Sequence, residues 1–200
     1  NGNFSWSIDV NGATLQNKIE NLPVSEILSG TISGPGQSGV AANIYKSGYA
    51  AGSFYLLEHI GYDDKGANIF KDVNNDGVIN NNDRVIIQGA IPKFTYGFNS
   101  QMNYKSFDFS FSIIGQSGGY LVNNTGLNAL NINNLASDRN VSTRYFKSGA
   151  NPANPPQLST LYLEKSDFLR LNSARLGYNF KFNKLTWLNG LGIYVTGQNL

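Results

Sequence analysis

The sequence predicts an all-β fold, an antiparallel transmembrane β-barrel fragment of about six strands with long extracellular loops. Three observations predict it. Apolar and polar residues alternate at period two over stretches of about ten residues, the length of a tilted barrel strand. The connections between those stretches are alternately tight and long. Aromatic residues form 12% of the 200 residues, with 11 Tyr and 12 Phe, and 22 Gly serve the turns. No apolar run approaches the length of a membrane-spanning helix, which does not exclude a membrane, because barrel strands cross on about ten alternating residues each.

Over residues 3–10, Phe4, Trp6, Ile8 and Val10 share one face, and Ser5, Ser7 and Asp9 the other. Asn11-Gly12 is a favoured hairpin pair, so a turn is expected there, followed by a more polar return strand over 13–22 that Pro23 closes. Residues 23–92 then form a long polar loop region with one short strand candidate at 53–62. The clearest hairpin comes next. Phe94, Tyr96, Phe98, Met102 and Tyr104 alternate with Thr95, Asn99, Gln101 and Asn103; beyond Lys105-Ser106, Phe107, Phe109, Phe111 and Ile113 alternate with Asp108, Ser110 and Ser112.

Residues 115–160 form a second long loop, rich in Asn, Ser, Gly and Pro, in which little regular structure is expected. Stretches 161–180 and 191–200 supply two more strands, joined by 181–190. In the first of them Leu169 and Leu171 share one parity, and Leu176, Tyr178 and Phe180 the other. That switch implies a bulge at 172–174, or a first half that rises above the bilayer.

Tight turns on one side and long loops on the other are the habit of outer-membrane barrels. Phe and Tyr would then face lipid, and Asp9, Asn99, Asn103 and Asp108 the lumen. Alternation alone is equally compatible with a second sheet covering the apolar face, so a secreted calcium-binding β-sandwich adhesin or carbohydrate-binding module is the alternative. With Asn1 first and Met102 its only Met, the chain is expected to be a fragment or a processed product.

The most specific chemical signal is the run from Asp72 to Asp83, Asp-Val-Asn-Asn-Asp-Gly-Val-Ile-Asn-Asn-Asn-Asp. A hard cation needs six or seven oxygens converging from a short segment. Asp72, Asn74 and Asp76 occupy positions 1, 3 and 5 of an EF-hand-type loop, Gly77 the sharp-turn position 6, and Val78 the carbonyl position 7. Asn80 and Asp83 take positions 9 and 12, and Ile79 is the apolar anchor. Ca2+ is the expected ion. Position 12 is Asp instead of the longer Glu, and the flanks lack a helical period, so a helix-loop-helix sensor is not expected. The plainer reading is a polar surface turn.

Other patterns are weaker. Cysteine is absent, which excludes disulfides and thiolate chemistry. A net charge of +2 without a basic run gives no argument for nucleic acid. Gly115-Gln116-Ser117-Gly118-Gly119 matches a nucleophile elbow, but no helical period follows, and His59 precedes the serine. Gly34-Pro35-Gly36-Gln37-Ser38-Gly39 matches the dinucleotide fingerprint in letters only, because proline sits where strand should pass to helix. Asp63-Asp64 and Glu164 with Asp167 read as turn carboxylates, and no enzyme is expected. Tyr49, Tyr120 and Tyr145 are candidates for stacking on sugar rings.

Several stretches in order resemble the C-terminal half of the SusC/RagA family of TonB-dependent outer-membrane transporters: Gly52-Ser53-Phe54-Tyr55, Lys71 through Ile79 with Asp83-Arg84, and Pro92 through Phe98. Tyr104-Lys105-Ser106-Phe107-Asp108, Tyr162-Leu163-Glu164, Phe168-Leu169-Arg170-Leu171, Leu176-Gly177-Tyr178 and Tyr194 through Leu200 continue it. The resemblance implies part of a 22-stranded, plugged barrel in the cell outer membrane, importing oligosaccharides or peptides. It also implies a SusD-like lipoprotein as lid and TonB, reached through an N-terminal region this chain lacks. The calcium-like loop would then lie in an outer loop, where an ion stiffens a docking surface.

Overall fold

The computed structural model of the chain describes residues 3–32, 34, 37, 39–182 and 187–200. Its first strands are β1 (Phe4–Thr14), β2 (Ile27–Thr31), β3 (Ala41–Tyr45), β4 (Ser53–Leu57), β5 (His59–Tyr62), β6 (Asn68–Phe70) and β7 (Arg84–Ile87). There follow β8 (Phe94–Tyr104), β9 (Phe107–Ser117), β10 (Tyr120–Val122), β11 (Leu163–Lys165), β12 (Phe168–Lys181) and β13 (Gly190–Gln198). They divide between two compact units, Asn1–Leu15 with Pro92–Gly118 and Ser166–Leu200, and Gln16–Ile91 with Gly119–Lys165.

The first unit is one antiparallel sheet in the order β1-β8-β9-β12-β13. The hairpin expected at Asn11-Gly12 does not form. β1 runs through both residues to Thr14, with Asn11 opposite Gly97 and Gly12 opposite Tyr96, and residues 15–26 carry no strand. Glycine makes this register possible, since a methyl group at Gly97 would lie 2.8 Å from Asn11 Oδ1. β8 thus pairs with β1 along its whole length, and the large sheet has five long strands where about six were expected. The turn at Lys105-Ser106 forms as expected, with Lys105 at φ 55°.

The parity switch in β12 has the cause the sequence implied. Register with β9 shifts between Leu171 and Ser173, which leaves Asn172 as the extra residue of a bulge. Leu171 therefore lies opposite Ile113 and Ala174 opposite Phe111, so both halves of the strand present their apolar residues to the same side. Of the connection between β12 and β13, residues 183–186 lie outside the described residues.

The two long segments hold far more structure than their composition suggested. The second unit contains a four-stranded antiparallel sheet, β2-β3-β4-β7, and the two-stranded pairs β5-β6 and β10-β11. Two short helices, α1 (Asn124–Ala129) and α2 (Tyr145–Ser148), and 3-10 turns at Asn81–Asp83, Ile132–Ser137 and Thr160–Tyr162 complete it. The expected strand at 53–62 is two strands broken at Glu58, and the start of 161–180 is β11, paired with β10. Buried Ala42, Phe54, Leu56 and Leu158 form the core, flanked by Ile32, Val40, Ile87 and Tyr120. Full burial of a Leu or Phe side chain is worth about 1.5–3 kcal/mol, so a few apolar residues in strands of five suffice to order a polar stretch.

Candidate functional site

The five-stranded sheet has two unlike faces. On one lie Phe4, Trp6, Ile8 and Val10 of β1, the aromatic positions of β8 and β9, then Leu169, Leu171, Leu176 and Tyr178 of β12 and Leu191, Ile193 and Val195 of β13. Strand registers place them in continuous rows, one being Trp6, Met102, Phe109, Leu176 and Val195. Much of this face is open: Trp6 is 55%, Leu169 68% and Val195 75% exposed. A β-sandwich would bury such residues against a second sheet. Ser100 interrupts the face, but it is buried, and Trp6 Nε1 donates to its Oγ at 2.9 Å.

The opposite face is polar. Ser7, Gln101, Ser110, Arg175 and Thr196 form one row, and Asp9, Asn99, Ser112, Ser173 and Gln198 another. Asp108 accepts from Asn179 Nδ2 at 3.2 Å and lies 3.6 Å from Arg175 Nε, while the Arg175 guanidinium stands 4.4 Å from the Tyr194 ring centre. Asn103 Nδ2 donates to Ser5 Oγ at 3.2 Å. The four residues expected on a lumen face, Asp9, Asn99, Asn103 and Asp108, do share one side.

In the second unit, loop 72–83 folds around its own side-chain oxygens. Asp72 accepts from the backbone N–H of Asp76 at 3.3 Å and of Gly77 at 2.8 Å, and Asn74 Oδ1 accepts from Asp76 N at 3.0 Å. Asp76 Oδ1 takes the N–H of Val78 at 2.8 Å, and Asp76 Oδ2 takes Asn74 Nδ2 at 2.8 Å. Gly77 adopts φ 79°, the left-handed turn that its position requires, and Asn75 adopts φ 58°. Asn80 caps the 3-10 turn Asn81–Asp83, its Oδ1 accepting from Asn82 N at 2.8 Å while its Nδ2 donates to the Val78 carbonyl at 3.1 Å.

Asp83 is the buried anchor of that loop. Its side chain is fully enclosed, with Oδ2 accepting from Asn80 N at 2.8 Å and Oδ1 from Val73 N at 2.9 Å. Hydrogen bonding, first from Asn80 N–H, holds its carboxyl below the usual aspartate range against the opposing effect of burial; the carboxyl of Asp72 is close enough to interact with it. As arranged, among the described residues no three His, Cys, Asp or Glu side chains form a group able to hold a metal ion.

The remaining sequence candidates scatter. Ser117 ends β9, whose next residues turn into β10, so nothing resembles an elbow. The dinucleotide-like run includes Pro35, Gly36 and Ser38, which lie outside the described residues. His59 is only partly exposed on β5, and its ring Nε2 is buried without a protein hydrogen-bond partner; burial lowers its pKa, against a hydrogen bond to Asn68 that raises it. Asp63 accepts from the N–H of Lys65 and Ala67, each at 2.8 Å, as turn carboxylates do. Tyr145 is buried, which removes it as a platform for sugar stacking.

Sequence reasoning missed a cleft of about 320 Å3 in the second unit, lined by Tyr62, Leu130, Arg144, Lys147, Ser148 and Leu161. Arg144 and Lys147 stand one turn apart on and beside α2, which ends at Gly149 with φ 82°. That closing glycine was the available signal of a short helix. Arg144 Nη1 is 3.1 Å from Glu164 Oε1, whose carboxyl the Asn123 amide and then Arg144 hold below the usual range. Burial pushes the hydroxyl of nearby Tyr162 up to about 12.

No family model matches the chain. Among curated proteins, TonB-dependent receptor P3 of Formosa agariphila is 30% identical over 230 residues, spanning all of this chain and 22% of the relative. TonB-dependent receptor SusC of Bacteroides thetaiotaomicron is 32% identical over 168 residues, 78% of this chain and 16% of SusC. The chain thus spans about a fifth of the length of the curated relatives it matches. Among solved structures, the RagAB peptide transporter superposes with a TM-score of 0.79 at 18% identity, over 98% of this chain and 23% of that one. The RagAB importer in its closed-closed state gives 0.71. The likeness to these structures is one of fold, and the named relatives are receptors and transporters, not enzymes.

Proposed function

From the premise that this chain belongs to the SusC/RagA-like TonB-dependent receptors of the outer membrane, we propose that it forms five barrel strands and two outer-loop regions of a nutrient importer. The importer takes up oligosaccharides or peptides together with a SusD-like lipoprotein, and TonB supplies the energy through a part of the receptor outside this chain. One observation carries the reading: an open, largely apolar face extends over five antiparallel strands whose reverse side is polar. Exposed patches of this extent belong to a partner or to lipid, and hydrocarbon needs no second sheet. The free edges of β1 and β13 are met by further strands of the closed barrel. Deleting the receptor gene together with its lipoprotein neighbour should abolish growth on the cognate glycan or peptide, with growth restored by the intact pair and not by a receptor lacking residues 94–117. Undiminished growth of the deletion strain would refute the proposal.

A second proposal concerns loop 72–83, and the turn at Gly77 that gathers the side-chain oxygens of Asp72, Asn74 and Asp76 favours it. Asp72, Asn74, Asp76, Val78, Asn80 and Asp83 offer oxygen alone, which suits Ca2+, and carboxylate oxygens that accept one N–H retain a further lone pair. The ion would stiffen an outer loop; it takes no part in catalysis.

A further inference from the structure

We propose that the cleft lined by Tyr62, Arg144, Lys147 and Ser148 is a subsite for a carboxylate carried on an otherwise neutral, partly apolar ligand. This deepens the importer reading and rests on it. The cleft has the two parts such a ligand needs. Leu130 and Leu161 give an apolar wall, and Arg144 and Lys147 place two cations on the same rim. Glu164 engages one of these cations at 3.1 Å, whereas Lys147 makes no ion pair among the described residues. One positive charge is therefore left uncompensated beside the cleft.

The hydroxyls point the same way. Tyr62 lines the cleft and interacts with the Ser148 hydroxyl. Tyr62 and Ser148 thus place two hydroxyls beside the two cations among the lining groups. A neutral sugar or peptide backbone would leave Lys147 unanswered. A carboxylate answers the ammonium and accepts from Tyr62 together, and charge-assisted bonds of that kind are the strong ones.

The carboxylate could come from a sugar acid or from the end of a peptide, and the test separates them. Binding to the intact receptor is measured at about 50 mM salt, where exposed charges are weakly screened. The probes are a galacturonate trimer against its methyl ester, and acetylated tetra-alanine against its C-terminal amide. One acid form should bind at least about tenfold more tightly than its neutral partner, as a hydrogen bond to a charged group implies. Lys147→Ala should cut that ratio below about threefold, and Lys147→Glu should invert it. Lys147 is exposed, so neither variant threatens folding. Equal binding of acid and neutral forms, binding of neither acid, or a ratio that survives Lys147→Glu would overturn the proposal. Membrane insertion and uptake are read in parallel: if both persist while the ratio is absent, only the cleft falls, and if the wild-type receptor fails to insert, both readings fall.

Discussion

The carboxylate of Asp108 lies directly over the α-carbon of Gly177 on the neighbouring strand, in the space a β-carbon would occupy. Side-chain absence at Gly177 thus allows Asp108 to reach both Asn179 and Arg175. Gly177→Ala would force the carboxylate aside and break both contacts. Arg175 in that pair is about half exposed, so the pair is worth little alone, and the expected cost is about 1 kcal/mol. Urea unfolding of the intact receptor checks the value. In an Asp108→Ala background the same substitution should cost less than half as much; an unchanged cost would show that the clash is with something else.

The apolar face makes a directional prediction. Leu176 lies in the middle of that face, between Phe109 and Val195, and Leu176→Arg there should destabilise the folded receptor in lipid vesicles by about 2–4 kcal/mol. Ser7→Lys, on the polar face opposite Gln101, should change stability by no more than about 0.5 kcal/mol. Similar costs for the two would remove the distinction between the faces.

For the oxygen-rich loop, Asp72→Ala combined with Asp76→Ala should abolish calcium binding by calorimetry and raise amide exchange across residues 72–83. Both residues organise the turn through backbone N–H groups, so exchange will rise whether or not an ion binds. The heat of binding is the deciding quantity. Identical calcium isotherms for wild type and double variant would end the assignment.

Asp83 sets the pH dependence of the same loop. Its folded-state pKa is depressed, so its carboxylate stabilises the loop fully above the ordinary aspartate value of about 4. That contribution is lost as pH falls through the lower, folded value. Amide exchange of residues 72–84, corrected for intrinsic rate, should therefore accelerate below about pH 4. Asp83→Asn keeps one acceptor, loses one of the two backbone bonds, and should flatten that acceleration. Acid acceleration of equal size in the variant would point to another group.

What the sequence made legible follows from how information is carried along a strand. Phe107, Phe109 and Phe111 against Asp108, Ser110 and Ser112 gave strand and faces together, because one strand's alternation requires no knowledge of its neighbours. Asn172 was legible for the same reason: a parity change within one strand has few causes. Asn11-Gly12 misled because its turn propensity is local, whereas the choice was made by β8, whose Gly97 opens space for Asn11. The second unit was hidden because Ala42, Phe54 and Leu56 are spread over strands too short to show a period, and they are buried together with Leu158, a hundred residues on. Its cleft was hidden likewise, since only the fold brings Tyr62 to Arg144.

The central claim, that the aromatic face of this sheet meets hydrocarbon while its reverse side is wet, is tested most directly by spin labels placed one at a time along residues 107–112 of the receptor in lipid. This chain contains no cysteine of its own to compete for the label. Collision rates with oxygen, which concentrates in lipid, should be high at Phe107, Phe109 and Phe111 and low at Asp108, Ser110 and Ser112, with a water-soluble nickel reagent giving the inverse. Labels at all six positions meeting the nickel reagent alike, or the aromatic positions shielded from both reagents, would contradict the account.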